Sequence, residues 1–177
     1  MEAPKFVPLY TVEDYRNWSG DWELIEGVAV SMALSPSWKH QRLALLLAKE
    51  IEEALSECPC SVCFEVDWIV DERTVVRPDL VVVCGEVGDY LKRAPLVVFE
   101  VVSKSTAFKD ETVKFELYQR EKVNYYGLVY PELQKVRLFK LKDGKFEKVF
   151  EGEEGEFTLE AEDCHFTLNF GELWKRV

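Results

Sequence analysis

Two carboxylates stand in runs of valine. Asp79 follows Arg77-Pro78 and opens LVVVC, and Glu100 interrupts LVVFEVV, the segment Leu96 to Val102. Continuous apolar runs of this kind are strands inside a sheet covered on both faces. A carboxylate placed there loses its hydration, which is unfavourable unless a cation, a metal or several donors meet it. Two such acids on neighbouring strands can converge on one divalent cation. Mg²⁺ (or Mn²⁺) is a hard ion that takes oxygen ligands, often one or two carboxylates plus waters. Bound there it polarises a phosphate and lowers the pKa of an attacking water. The alternative is an internal ion pair, because Arg77 lies two residues before Asp79 and Lys114 follows Glu100 on the next predicted helix.

The elements that must position these acids are legible in outline. Thr11 begins a short helix, with Asp14 in the place of a capping-box acid. Trp22–Ile25 and Val28–Met32 read as a hairpin turned at Glu26-Gly27. Ser35-Pro36-Ser37 is a loop leading into a long helix, Trp38–Ser56, whose buried stripe is Leu43, Leu46, Leu47, Ile51 and Leu55. Ser61–Val70 alternates as one strand, with Val62, Phe64, Val66 and Trp68 on one face and Cys63, Glu65, Asp67 and Ile69 on the other. Asp71–Thr74 is a turn, the strand carrying Asp79 follows, and Gly85–Pro95 is a loop. After the strand Leu96–Val102, Asp110 is placed to cap a helix over Glu111–Lys122. Asn124–Tyr130 is a strand, and Lys135–Leu141 with Lys145–Phe150 form a hairpin through Asp143-Gly144. A short helix, Gly171–Arg176, closes the chain. The order predicts a single mixed α/β domain over 1–177, with a core of about 20–142 and a C-terminal extension over 143–177.

Composition bounds the rest. The chain has 177 residues, 47% of them hydrophobic and 13% aromatic, enough for one globular domain with a sizeable core. The net charge of −11 argues against a broad nucleic-acid-binding surface. Seven acids crowd Glu151–Asp163, however, and the rest carries about −4, so a local nucleic-acid site is compatible with the charge. Apolar runs are too short to span a bilayer, and MEAPKFVPLY has no signal pattern. No membrane association and a cytoplasmic location are expected. The five cysteines, three of them in Cys58-Pro-Cys60-Ser-Val-Cys63, are expected to be plain thiols and not a zinc site.

Several motifs in order resemble the Uma family of restriction-endonuclease-like bacterial proteins, within the PD-(D/E)XK nuclease superfamily. They are Arg77-Pro78-Asp79, Glu100-Val101-Val102-Ser103, Ser105-Thr106, Asp110, Lys114 and Tyr118. Tyr10–Tyr15, the hairpin Trp22–Gly27, His40 early in the long helix, and Val123–Pro131 extend the likeness to about Leu141. The resemblance implies a restriction-endonuclease-like mixed sheet flanked by helices, here with an N-terminal hairpin and a C-terminal β-hairpin extension. It implies Asp79 and Glu100 as metal ligands and a nuclease acting on DNA. The chain departs from the superfamily at Val102, where a lysine is usual. Lys114 is the first candidate to replace it and Lys104 the second, either one stabilising charge on the phosphate. Lys122 replaces a usual glycine, Gly127 a usual tryptophan and Tyr130 a usual aspartate.

Further candidates surround this core set. Glu65, or Asp67 on the same predicted strand face, could add a third carboxylate. Glu23 in the first hairpin is a ligand or supporting acid, or else a charge on an edge strand. His40 offers a base beside substrate or water, or else lies on the surface. Ser103, Ser105 and Thr106 form a polar loop that caps helices or donates to a phosphate, and Tyr118 lies one turn past Lys114, placed to hold it. Arg77, Lys92, Arg93, Lys104, Lys109 and Lys114 favour a phosphate ligand. Two copies about a twofold axis would present one site to each strand of a duplex, so a homodimer is expected. The competing function is a non-catalytic module that keeps the fold for nucleic-acid binding or assembly, which the missing lysine and the acidic surface favour.

Overall fold

The computed structural model describes residues 7–32, 36–161 and 163–177. Ser35 of the expected loop and Glu162 of the acidic segment lie outside the described residues.

The chain opens with the short helix α1 (Val12–Tyr15). Its capping box is formed as expected, with Thr11 and Asp14 exchanging backbone and side-chain hydrogen bonds. Strands β1 (Trp22–Ile25) and β2 (Val28–Ser31) form the first hairpin, and α2 (Trp38–Ala54) follows with Ser37 as its N-cap. Leu43, Ala44, Leu47, Ala48 and Ile51 make its buried face.

The alternation over Ser61–Val70 does not make one strand. It divides into β3 (Cys60–Phe64) and β4 (Trp68–Asp71), which lie in different sheets. Glu65 sits between them at φ 56°, a left-handed conformation that no continuing strand can hold. β4 turns back into β5 (Thr74–Val76), and the chain then crosses to β6 (Leu80–Cys84), with Arg77-Pro78-Asp79 as the link. β7 (Val97–Val101) is buried throughout, as its valine run requires.

The next helix also differs from expectation. Asp110 is no N-cap. It lies buried inside a π-helical turn, Lys109–Val113, which runs on into α3 (Lys114–Arg120). β8 (Tyr125–Tyr130), β9 (Lys135–Lys142) and β10 (Lys145–Gly152) complete the main sheet. The acidic segment, which showed no element in the sequence reading, supplies β11 (Glu156–Ala161). It pairs with β12 (Cys164–Asn169), and a 3-10 helix, Phe170–Arg176, ends the chain.

The main sheet has six strands in the order β10-β9-β8-β7-β6-β3, and a smaller sheet has the order β2-β1-β5-β4. Among the strands of the described residues, β7 and β8 are the one pair in parallel, so the connection carrying the π turn and α3 crosses one face of the sheet. α2 and the C-terminal hairpin cover the other face through Leu47, Ile51, Phe99, Leu159 and Phe170. The α3 side packs Trp68, Val98, Leu117, Tyr118 and Tyr126. In the parallel pair, Phe99 lies opposite Gly127, and its ring takes the space a side chain at 127 would need.

Four of the five cysteines depart from the expected free thiols. Cys58 is joined to Cys164 and Cys60 to Cys84, and only Cys63 remains free and exposed. Cys60 and Cys84 are direct cross-strand partners on β3 and β6. Cys58, just past α2, meets the first residue of β12. The pairing was not readable because neither partner of the clustered cysteines is near them in sequence.

Candidate metal and phosphate site

β6 and β7 pair antiparallel with Leu80 opposite Phe99, so Asp79 and Glu100, one step further, fall side by side on one face. Each acid's carboxylate accepts from the other's strand. The Asp79 backbone N–H donates to Glu100 Oε2 at 3.1 Å, and the Val101 N–H donates to Asp79 Oδ2 at 2.7 Å. Both line a cavity of about 350 Å³.

Four other elements bring charged or titratable groups to this cavity. From β1 comes Glu23, fully buried. From α3 comes Lys114, 2% exposed, with Nζ 2.9 Å from Glu100 Oε1 and 3.1 Å from Glu23 Oε2. The π turn adds Lys109, 2.9 Å from Glu23 Oε1, and Asp110, also buried. The Tyr118 hydroxyl donates to Glu100 Oε1 at 2.9 Å, so it shares an acceptor with Lys114 as the four-residue spacing suggested. His40, in the first turn of α2, puts Nε2 3.4 Å from Asp79 Oδ2.

The π turn is what groups the cations. In an α-helix, residues five apart diverge by about 140° at 3.6 residues per turn. Here the Lys114 N–H bonds back to the Lys109 carbonyl, one residue further than in an α-helix. The widened turn brings Lys109 round to the face of Lys114 while keeping Asp110, four residues before it, on that face, so all three line the cavity. Lys109 was expected only as one of several basic residues near a phosphate, and Asp110 as a helix cap; both are residues of the site. The legible signal was the Lys-Asp pair five and four residues before Lys114.

Other expectations divide. Ser103, Ser105 and Thr106 line the cavity and bond to one another, with Ser103 Oγ 3.0 Å from Ser105 Oγ and 3.1 Å from Thr106 Oγ1. Lys104 is exposed and does not line it. Arg77 does not pair with Asp79. Its guanidinium bonds Asp67 at 2.8 Å and Asp21 at 2.9 Å, which also removes Asp67 as a third carboxylate. Glu65 lies exposed on the cavity wall. Among the described residues no three His, Cys, Asp or Glu side chains are grouped closely enough to hold a metal by themselves, so Glu65 does not complete a set with Asp79 and Glu100.

The electrostatics follow from this crowding. Burial pushes the Glu100 carboxyl well above the usual range. Lys114 opposes this, and Asp79, Asp110 and Glu23 add to it. Burial likewise raises Asp110 to about 6 against the pull of Lys114 and Thr106. Glu23 goes the other way, its burial outweighed by Lys114 and Lys109. Burial disfavours the Lys114 ammonium, yet Glu100, Glu23 and Asp110 together hold it charged far above the ordinary lysine range. The His40–Asp79 contact overcomes burial at both ends, raising His40 and lowering Asp79.

A cavity walled by Asp21, Glu23, Glu65, Asp79, Glu100 and Asp110 against Arg77, Lys109 and Lys114 has spare negative charge. All these acids offer hard oxygen donors, which fits a divalent cation completed by waters or phosphate oxygens. A mixed sheet with a helix on each side and acids at the ends of two central strands defines a restriction-endonuclease-like protein. The family model Uma2, described as "Putative restriction endonuclease", matches residues 12–170, and the chain belongs to that family. Among solved structures, it is similar to one described as a "putative nuclease belonging to DUF820" from Anabaena variabilis ATCC 29413. The TM-score is 0.75 at 17% identity, over 93% of this chain and 97% of that one, which shows the shared fold. Comparison with curated proteins gives no match. Among the described residues no helix is long and apolar enough to cross a membrane.

Proposed function

We propose that this chain is a Mg²⁺- or Mn²⁺-dependent endonuclease that hydrolyses phosphodiester bonds in DNA. The observation that carries this reading is the excess of carboxylates over cations around one cavity, centred on Asp79 and Glu100. These two acids would hold the ion, which supplies a polarised phosphate and a more acidic water. Lys114, fixed between Glu23 and Glu100, is the donor for charge developing on the phosphate oxygens. Lys109 and the Ser103–Thr106 loop stand where a phosphate would enter. His40 holds a proton against Asp79 and can pass it to or from water. On this reading the protein acts as a homodimer.

A time course of supercoiled plasmid with Mg²⁺ or Mn²⁺ tests the proposal. Wild type should nick or linearise the plasmid, EDTA should stop it, and Asp79→Ala should be inactive while remaining folded by circular dichroism. The non-catalytic reading is favoured by one feature: Glu100 already accepts three hydrogen bonds within the protein. Wild type that cuts no plasmid or single strand with either ion would put that reading ahead.

A further inference from the structure

The carboxylate cavity has a neighbour, and Arg77 lines both. Along β1 the side chains alternate, so Glu23 turns inward to Lys114 while Trp22 turns to the other face of the small sheet. The register Leu24 to Val75, and Val76 to Trp68, continues to set Trp22, Arg77 and Asp67 in a row across the end of that sheet. Over this row lies a cavity of about 400 Å³, walled by Trp18, Trp22, Tyr15 and Tyr90 with Arg16 and Arg77 beside them.

Its lining is fixed. The Tyr15 hydroxyl lies 3.0 Å from both Trp22 O and Asp67 Oδ2, and Asp67 in turn holds Arg77. Trp18 packs edge-on to Tyr15 and Trp22, with ring centres 5.6 and 5.8 Å away, and the Trp22 indole N–H donates to Ser19 O. Tyr90, by contrast, is 55% exposed at the mouth. Arg16 stands exposed at the same cavity. Aromatic walls accept a planar ring. With Arg77 already paired to Asp67 and Asp21, the Arg16 guanidinium is the cation that discourages a cationic guest and suits one that carries a phosphate.

We infer that this cavity takes an unstacked nucleobase of the same strand whose phosphate enters the carboxylate cavity, with Arg77 between the two. The inference rests on the nuclease reading for that second cavity and names its substrate as a strand with accessible bases. Paired bases inside a duplex cannot enter, whereas those of a single strand, or one turned out of the stack, can. Stacking is tolerant of base identity, so the pocket selects strandedness and not sequence.

Binding is measured in EDTA, where no cleavage occurs, by anisotropy of dye-labelled strands at fixed salt. The probes are a short thymidine oligonucleotide, the same phosphate backbone made abasic throughout, and a blunt duplex. Wild type should bind the thymidine strand at least about tenfold more tightly than the abasic strand or the duplex. Trp18→Leu and Tyr90→Leu should lose that preference and bind all three alike. Tyr90 is exposed, so its replacement leaves the fold intact even if Trp18→Leu does not. Equal binding of thymidine and abasic strands by wild type, no binding of any strand, or an undiminished preference in Tyr90→Leu overturns the pocket. Plasmid cleavage is scored separately. Wild type that cuts without base preference defeats the pocket alone, and wild type that prefers bases but cuts nothing keeps the pocket and defeats the nuclease reading.

Discussion

Asp110 is held protonated to about pH 6 by burial, against the pull of Lys114 and Thr106. The folded protein thus binds this proton more tightly than the unfolded chain, whose aspartates titrate near 3.8. Its contribution to stability is full below about pH 4 and is lost as pH rises through about 6. Asp110→Asn should therefore stabilise the metal-free protein at pH 7 by about 1–3 kcal/mol, with the gain gone by about pH 4, as read from urea midpoints at each pH. Lys114 has the opposite character. Lys114→Met leaves Glu23 and Glu100 buried without their cation and should cost about 3–5 kcal/mol. Adding Glu23→Gln should recover part of that loss, a coupling that a double-mutant cycle measures. At this scale Asp79, Glu100 and Lys114 were legible, because a charge amid valines or on the adjoining helix needs a reason. Lys109 and Asp110 were named in the sequence but not grouped with Lys114, since nothing in their types announces a π turn.

Helix α3 ends in a Schellman arrangement: Val123 N–H donates to Tyr118 O at 3.0 Å and Lys122 N–H to Gln119 O at 3.2 Å. Lys122 takes the left-handed position at φ 63°, where the family resemblance expects glycine. A side chain there is strained by about 1 kcal/mol. Lys122→Gly should raise stability by about that amount, visible as a higher urea midpoint with unchanged slope. Glu65 shows the same limit of sequence reading. Alternation from Ser61 to Val70 is unbroken, yet one residue at positive φ sends the two halves to different sheets. Backbone reversals at non-glycine residues carry no compositional mark. The last hairpin was legible in principle, since Phe157 and Leu159, and Phe166 and Leu168, alternate at period two. The density of glutamates concealed it.

For the molecule as a whole, the segment expected to be an extension completes the core. Leu159, Phe166, Leu168, Phe170 and Leu173 are buried with Leu43, Leu47 and Ile51 of α2. Each such side chain stabilises by about 1.5–3 kcal/mol when buried, and a domain has only about 5–15 kcal/mol in hand. A chain ending after Gly152 should therefore fail to fold, giving an unfolded circular dichroism spectrum at 25 °C. The same loss would expose the face of α2 behind His40, and with it the wall of the candidate site. The net charge of −11 argues against a broad basic face, but it was silent on the local balance inside one cavity, where acids and lysines from β1, β7, α3, the Arg77–Asp79 link and the π turn meet only after folding.

Gly127 and Phe99 share one volume between β7 and β8. In the language of inheritance they behave as a single character. A lineage carrying tryptophan at 127 cannot coexist with this ring, because the overfilled core costs about 1–3 kcal/mol. Shrinking residue 99 first opens a void that costs about 3–5 kcal/mol. Either intermediate gives up a sizeable part of a stability margin of about 5–15 kcal/mol. The two positions are therefore sterically coupled: a side chain at 127 is accommodated only where residue 99 leaves it room.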